Sequence, residues 1–176
     1  IFQMKKTVLP EVLDLTPNTS LKMMDQRFSG PKAWITEDLS EADWEIKFTK
    51  KALEEIRSMT DRISANPLSI NLREPGEFEI PELRRIFSKA KKILNKGCGF
   101  CVIERMPMEE IRVEELVGCY WILSQLIGRT VAQKWDGTMI YDVTDTGQSF
   151  SYGVRGSYTN VELFFHNDNA FGISLP

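Results

Sequence analysis

Asn160-Val-Glu-Leu-Phe-Phe-His-Asn-Asp-Asn-Ala-Phe-Gly-Ile-Ser-Leu-Pro176 is the stretch on which the reading of this chain turns. It holds the only histidine of the 176 residues, His166, two positions before Asp168. Side chains alternate faces along an extended strand, so residues two apart project to one side and an imidazole and a carboxylate converge there. Both groups are ligands for divalent transition metals. A two-histidine, one-carboxylate facial triad leaves open positions on an octahedral iron, and His166 and Asp168 supply two of its three protein donors. The bare H-x-D pattern is equally explained by a strand-end histidine that hydrogen-bonds its neighbouring aspartate or a turn amide. The surrounding sequence has to decide.

Outward from that stretch, the chain from Gly128 onward thins in charge and fills with Tyr, Phe, Thr, Val and Gly. Val131–Trp135, Met139–Val143 and Val161–Phe165 are predicted strands, with Asp136-Gly137 a tight-turn signal between the first two. Upstream the periodicity is helical. Ser40 followed by Asp43 marks a helix start, and Phe48, Ala52, Leu53, Ile56, Met59 and Ile63 recur at helical spacing, predicting one helix from about Glu41 to Ile63. Lys50, Lys51, Glu54, Glu55 and Arg57 take its outer face. A second helix opens at Pro81, carries Leu83, Ile86, Phe87, Ala90, Ile93 and Leu94 inward, and closes at Gly97 in a left-handed cap. Gly99–Ile103 then reads as a buried strand, and Arg112–Ile127 as a third helix stopped by Gly128. Residues 1–39, with Pro10, Pro17, Gly30 and Pro31, form an irregular lead-in.

Composition sets the outer bounds. An apolar fraction of 42% and a charged fraction of 27% are those of a globular protein rather than a disordered one. A net charge of -3 gives no positive field for nucleic acid or an anionic membrane, and no apolar run is long enough to span a bilayer. Three cysteines, an odd number, together with an amino terminus that lacks the features of a secretory signal, point to a reducing, cytoplasmic setting. The first residue, Ile1, is not a methionine, so the natural start is expected elsewhere.

The string Gly153-Val-Arg-Gly-Ser-Tyr-Thr-Asn-Val-Glu-Leu-Phe-Phe-His-Asn-Asp-Asn-Ala-Phe171 resembles the segment around the iron-binding motif of the TauD/TfdA family of Fe(II)- and 2-oxoglutarate-dependent dioxygenases. Asn167 stands where that family usually has threonine, at a position that is not a ligand. Leu94–Ile103 and Tyr120–Gly128 resemble, more loosely, an early helix-to-strand element and the next helix of the same family. The resemblance covers about Leu94 to Pro176. It implies a mostly β fold with flanking helices, a double-stranded β-helix or jelly roll, incomplete in this chain, with residues 40–127 helix-rich and 128–176 strand-rich. It further implies that residues 1–176 are a single partial domain, the amino-terminal part of such an oxygenase.

On this resemblance His166 and Asp168 bind Fe(II), 2-oxoglutarate is the co-substrate, and dioxygen is consumed. The substrate is a small metabolite or amino-acid-like compound, oxidised at an unactivated C–H bond, most simply by hydroxylation. Desaturation or cyclisation uses the same oxidant; halogenation is disfavoured because Asp168 retains the carboxylate. The family's second histidine and its 2-oxoglutarate-binding arginine lie downstream of the motif and have no counterpart here, so the chain alone is expected to be inactive and to need downstream sequence, a complementing chain or a homo-oligomer. Arg155, Thr159, Asn160 and Glu162, just before the motif, are candidate substrate contacts, with exposed or strand-pairing polar residues as the plainer reading.

Two other functions compete. One is a non-catalytic binding or assembly protein retaining a partial oxygenase fold, favoured by the absence of a second histidine. The other, a zinc hydrolase, lacks ligands near His166. Cys98-Gly-Phe-Cys101 has neither a second pair for zinc nor a following helix for redox work, and reads as buried inert thiols. Trp34, Trp44, Trp121 and Trp135 are dispersed and read as core or interface. Asp142 and Asp145 read as turn residues.

Overall fold

The computed structural model describes residues 27–154 and 156–162. Three helices supply its core: α2 (Lys50–Ala65), α3 (Pro81–Lys96) and α4 (Val113–Ile127), preceded by a single turn, α1 (Glu41–Trp44). α4 packs against both α2 and α3. The contact follows from spacing. Ala52, Ile56 and Met59 on α2, Leu83, Ile86, Phe87 and Ala90 on α3, and Leu116, Cys119, Ile122 and Leu123 on α4 recur every three to four residues and are all buried. Gly118 lies where α2 and α4 approach, and a Cβ there would sit 3.1 Å from Ile63 Cδ1, close enough that the isoleucine would have to shift.

The jelly-roll expectation is overturned. The described residues are 46% helical and 3% strand, with one two-stranded parallel sheet, so the architecture is helix-rich and not mostly β. That sheet pairs β1 (Glu45–Ile46) with β2 (Val102–Ile103), in register Glu45 to Val102 and Ile46 to Ile103. Val131–Trp135 and Met139–Val143 are not strands. Strand-forming side chains do not make a strand unless a neighbour takes the backbone N–H and C=O groups. Here the segment has only local ties: the Gln133 amide donates to Thr138 O at 2.7 Å and the Thr146 amide to Tyr158 O at 3.0 Å. The Asp136-Gly137 turn does form, with Gly137 at φ +89° and its amide bonded to Lys134 O. Of the third predicted strand, Val161 and Glu162 are not in strand conformation, and Leu163–Phe165 lie outside the described residues.

Three local expectations also change. The helix predicted from Glu41 to Ile63 is broken by β1, because Ile46 turns its backbone to β2 and accepts from the Glu104 amide at 2.8 Å. Thr49 then restarts the helix as an N-cap, its Oγ1 accepting from the Ala52 amide at 3.1 Å. The Gly99–Ile103 strand shortens to Val102–Ile103 and is not buried: Val102 is half exposed. Gly97 ends α3 with φ −98°, outside the left-handed region; what excludes a side chain there is Ile93 O, 2.9 Å from an added Cβ.

Two buried polar side chains hold the helices together. The Glu55 carboxylate on α2 accepts from the Glu82 amide at 3.0 Å and the Leu83 amide at 2.8 Å, satisfying donors at the start of α3 that have no partner within their own helix. The Arg73 guanidinium donates to the carbonyls of Asn66 and, at 3.5 Å, Ile63 at the end of α2, and lies 3.7 Å from the Glu77 carboxylate. The Arg73 carbonyl accepts from Trp121 Nε1 at 3.1 Å and Gln125 Nε2 at 3.0 Å. One residue thus ties α2 to α4.

Candidate functional site

In the segment after α4, Met139 and Ile140 are partly buried against the helical core while Val131, Val143 and Phe150 are exposed. The segment lies across α4 and β2 and leaves an open cleft of about 810 Å³. Phe87 of α3, Ile103 of β2, Tyr120 and Leu123 of α4, and Met139 and Val143 of the segment give it mainly apolar walls. A cavity of that size and character is the usual setting for a small-molecule site.

Several polar groups on its walls are already engaged. The Glu104 carboxylate accepts from the Phe48 amide at 2.7 Å, Ser124 Oγ donates to Trp121 O at 2.9 Å, and Gln133 Nε2 donates to Val131 O at 3.1 Å. The Lys134 ammonium stands 4.6 Å from the centroid of the Tyr141 ring. Arg129 lines the cleft, is exposed, and forms no ion pair among the described residues. A smaller recess of about 360 Å³ adjoins through the shared residues Gly128, Arg129 and Thr130.

His166 and Asp168, the expected metal ligands, lie outside the described residues, as does Arg155. Among the described residues no group of three His, Cys, Asp or Glu side chains is placed to hold a metal ion. The donor set of the H-x-D pair is right in kind for iron, a nitrogen and a carboxylate, and one protein donor short of a triad. The described residues offer no second histidine to complete it.

The remaining candidates divide. Thr159 is committed to a local turn, with its amide and Oγ1 both donating to Gly156 O at 3.0 Å. Asn160 and Glu162 are exposed. The structure ties this segment back to the cleft: the Thr146 amide and Oγ1 donate to Tyr158 O at 3.0 and 2.9 Å, three residues beyond Val143 of the cleft wall.

The three cysteines are unpaired thiols. Cys98 donates to Phe100 O at 3.2 Å and Asp43 O at 3.5 Å. Burial, with a smaller contribution from Cys98, raises the Cys101 thiol, and burial followed by the charge of Glu115 pushes Cys119 up to about 12. Neither Cys101 nor Cys119 is poised as a thiolate. Phe100, between the thiols, packs against Trp34 and Trp44 with centroids 5.2 and 6.0 Å away, and Trp34 Nε1 donates to Cys98 O at 2.8 Å. Trp121 is core, while Trp135 at the turn is fully exposed.

Sequence reasoning missed Glu55, assigned to a solvent face, and Arg73, which sits among turn residues with no periodicity to mark it. It also missed the cleft, which depends on how the post-α4 segment lies. No protein-family model matches the chain, and no curated protein matches its sequence significantly. No helix among the described residues is long and apolar enough to cross a membrane.

Proposed function

We propose that this chain forms part of an Fe(II)- and 2-oxoglutarate-dependent oxygenase that oxidises an unactivated C–H bond of a small metabolite or amino-acid-like substrate, most simply by hydroxylation. The observation that carries the reading is the string Glu162-Leu-Phe-Phe-His-Asn-Asp168, which pairs the only imidazole with a carboxylate two residues on. The apolar cleft supports it, since a C–H oxidation needs a dry, shaped cavity beside the reactive centre. Its segment is joined to the residues that run into the string through the Thr146–Tyr158 bonds.

When bound, the iron and 2-oxoglutarate supply the activation of dioxygen, which no side chain can perform. The chain's own contribution is narrower: His166 would offer an imidazole nitrogen and Asp168 a carboxylate oxygen, and the cleft walls would orient an apolar substrate surface. The resemblance places the second histidine and the 2-oxoglutarate-binding arginine downstream of the motif, and these 176 residues hold no second histidine.

Succinate formation tests the reading. Supplied with Fe(II), 2-oxoglutarate and oxygen, the 176-residue chain is expected to release no succinate, while a longer product of the gene that adds a histidine and an arginine releases it and loses it on Asp168→Ala. Stoichiometric turnover by the 176 residues alone contradicts the need for an outside ligand. A longer product that is equally active with Asp168→Ala contradicts the site assignment. Absence of turnover in every form of the protein favours the non-catalytic binding protein.

A further inference from the structure

The net charge of -3 hides a strongly uneven distribution. From Arg84 to Lys96, α3 carries Arg84, Arg85, Lys89, Lys91, Lys92 and Lys96 and not one acidic residue. Arg85 pairs with Glu82 and Arg84 donates to Pro75 O. The four lysines form no ion pair among the described residues. One of them, Lys91, reaches the recess beside the cleft.

That recess is lined by Lys91, Gln125, Gly128, Arg129 and Thr130, two cations and no acid. The Gln125 amide nitrogen is already held by Arg73 O and Trp121 O, leaving Lys91 and Arg129 as the charged groups that line the recess, beside the Thr130 hydroxyl. Gly128, Arg129 and Thr130 also line the apolar cleft, so the two spaces meet at Arg129. The one acid on the cleft wall, Glu104, has its carboxylate directed to the Phe48 amide. An apolar trough therefore opens at one end into a cationic recess.

We infer that this pair of spaces binds a single-chain amphiphile with an anionic head, its apolar body along the cleft and its carboxylate or phosphate between Lys91 and Arg129. Neither half accounts for the ligand alone. The apolar walls do not discriminate a carboxylate from an alcohol, and two surface cations do not hold a small free anion strongly against water and salt. Joined, they select a molecule that satisfies both. Guanidinium and ammonium groups give charge-assisted hydrogen bonds to such a head, and the body contributes in proportion to the apolar area it removes from water. The inference shares the apolar cleft with the oxygenase reading but uses neither His166 nor Asp168, and a titration without iron or 2-oxoglutarate tests it apart from that reading.

The test is calorimetric titration of the 176-residue chain with sodium dodecanoate below its micelle concentration, without iron or 2-oxoglutarate. Dodecyl phosphate, dodecan-1-ol, acetate and inorganic phosphate are run beside it. Saturable binding of one dodecanoate or dodecyl phosphate per chain is expected, with dodecan-1-ol roughly tenfold weaker or more and the two free anions not detectably bound, in line with the loss of a charge-assisted bond. The preference between the two heads identifies carboxylate or phosphate as the natural group. Lys91→Gln with Arg129→Gln, both at exposed positions, is expected to weaken dodecanoate about tenfold or more and leave dodecan-1-ol unchanged. Val143→Asp, also exposed, is expected to abolish both while the helical circular dichroism is retained. Equal affinity for dodecanoate and dodecan-1-ol, an unaltered affinity in the double variant, or no saturable binding overturns the inference. Binding to phosphatidylglycerol vesicles without binding to monomeric amphiphile also overturns it and assigns the cations to a membrane surface.

Discussion

The helical body, residues 50–127, and the segment that follows it, 128–162, come from the same chain and behave differently. In the body, helical periodicity is satisfied on the spot: each helix closes its own backbone hydrogen bonds, and α2, α3 and α4 bury their apolar stripes against one another. In the segment, residues of high strand propensity remain extended and largely exposed, with Val131, Val143 and Phe150 each more than 60% accessible. A helix is a local solution to backbone pairing, and a strand is not. Strand propensity is a statement about a neighbour as much as about the residues themselves.

The largest expected contrast is in mutational cost. Ile122→Ala on α4, where the side chain is fully buried, is expected to cost about 2–5 kcal/mol in urea unfolding, whereas Val143→Ala in the segment should stay within roughly 0.5 kcal/mol. Similar costs at the two positions would erase the distinction. Glu55→Gln should come next, at about 1–3 kcal/mol, because a neutral amide replaces the charged acceptor of two α3 amides. Urea midpoints measure it, and an unchanged midpoint would mean that α3 is capped without Glu55.

These first two substitutions also mark what was legible in the sequence. The helix that carries Ile122 follows from periodicity, as do the bounds of α3 and α4, because an apolar stripe and its stop residues are local facts; which face of α4 is buried does not, since Val113 and Tyr120 fit the same helical spacing and are exposed while Ile122 is buried. Glu55 does not follow from spacing either. Its neighbours Glu54, Lys51 and Arg57 are exposed or partly so, and only the approach of a second helix start separates it from them. The break between α1 and α2 was not read from the sequence, because the choice to turn at Ile46 is made by β2, more than fifty residues away. The strands expected at Val131–Trp135 and Met139–Val143 failed because propensity was taken for pairing, and the jelly roll, implied by the resemblance, failed with them. At the site, chemistry was legible in the H-x-D string and geometry was not, since the cleft is formed by the way the post-α4 segment lies on α4.

The smallest effect expected is in acid. Arg85 first, and then Thr49, hold the Glu82 carboxyl at about 2, below its ordinary 4.5. A carboxyl depressed on folding contributes stability that is full above about 4.5 and is lost as the pH falls through about 2. Glu82→Gln is therefore expected to lower stability slightly at neutral pH and to flatten its decline between those two values, read from urea midpoints across the range. Because Arg85 is exposed and the pair belongs to the helical body, an equal flattening from Asp136→Asn would show acid sensitivity shared with the segment instead.

The assignment of His166 and Asp168 as iron ligands is tested most directly by anaerobic titration of Fe(II) with 2-oxoglutarate, carried out on the full-length protein and followed through the metal-to-ligand charge-transfer band. The band is expected to grow to one iron per chain, and to vanish in His166→Ala and in Asp168→Ala while the helical circular dichroism is unchanged. A band of full intensity in either variant would place the metal elsewhere and contradict the account.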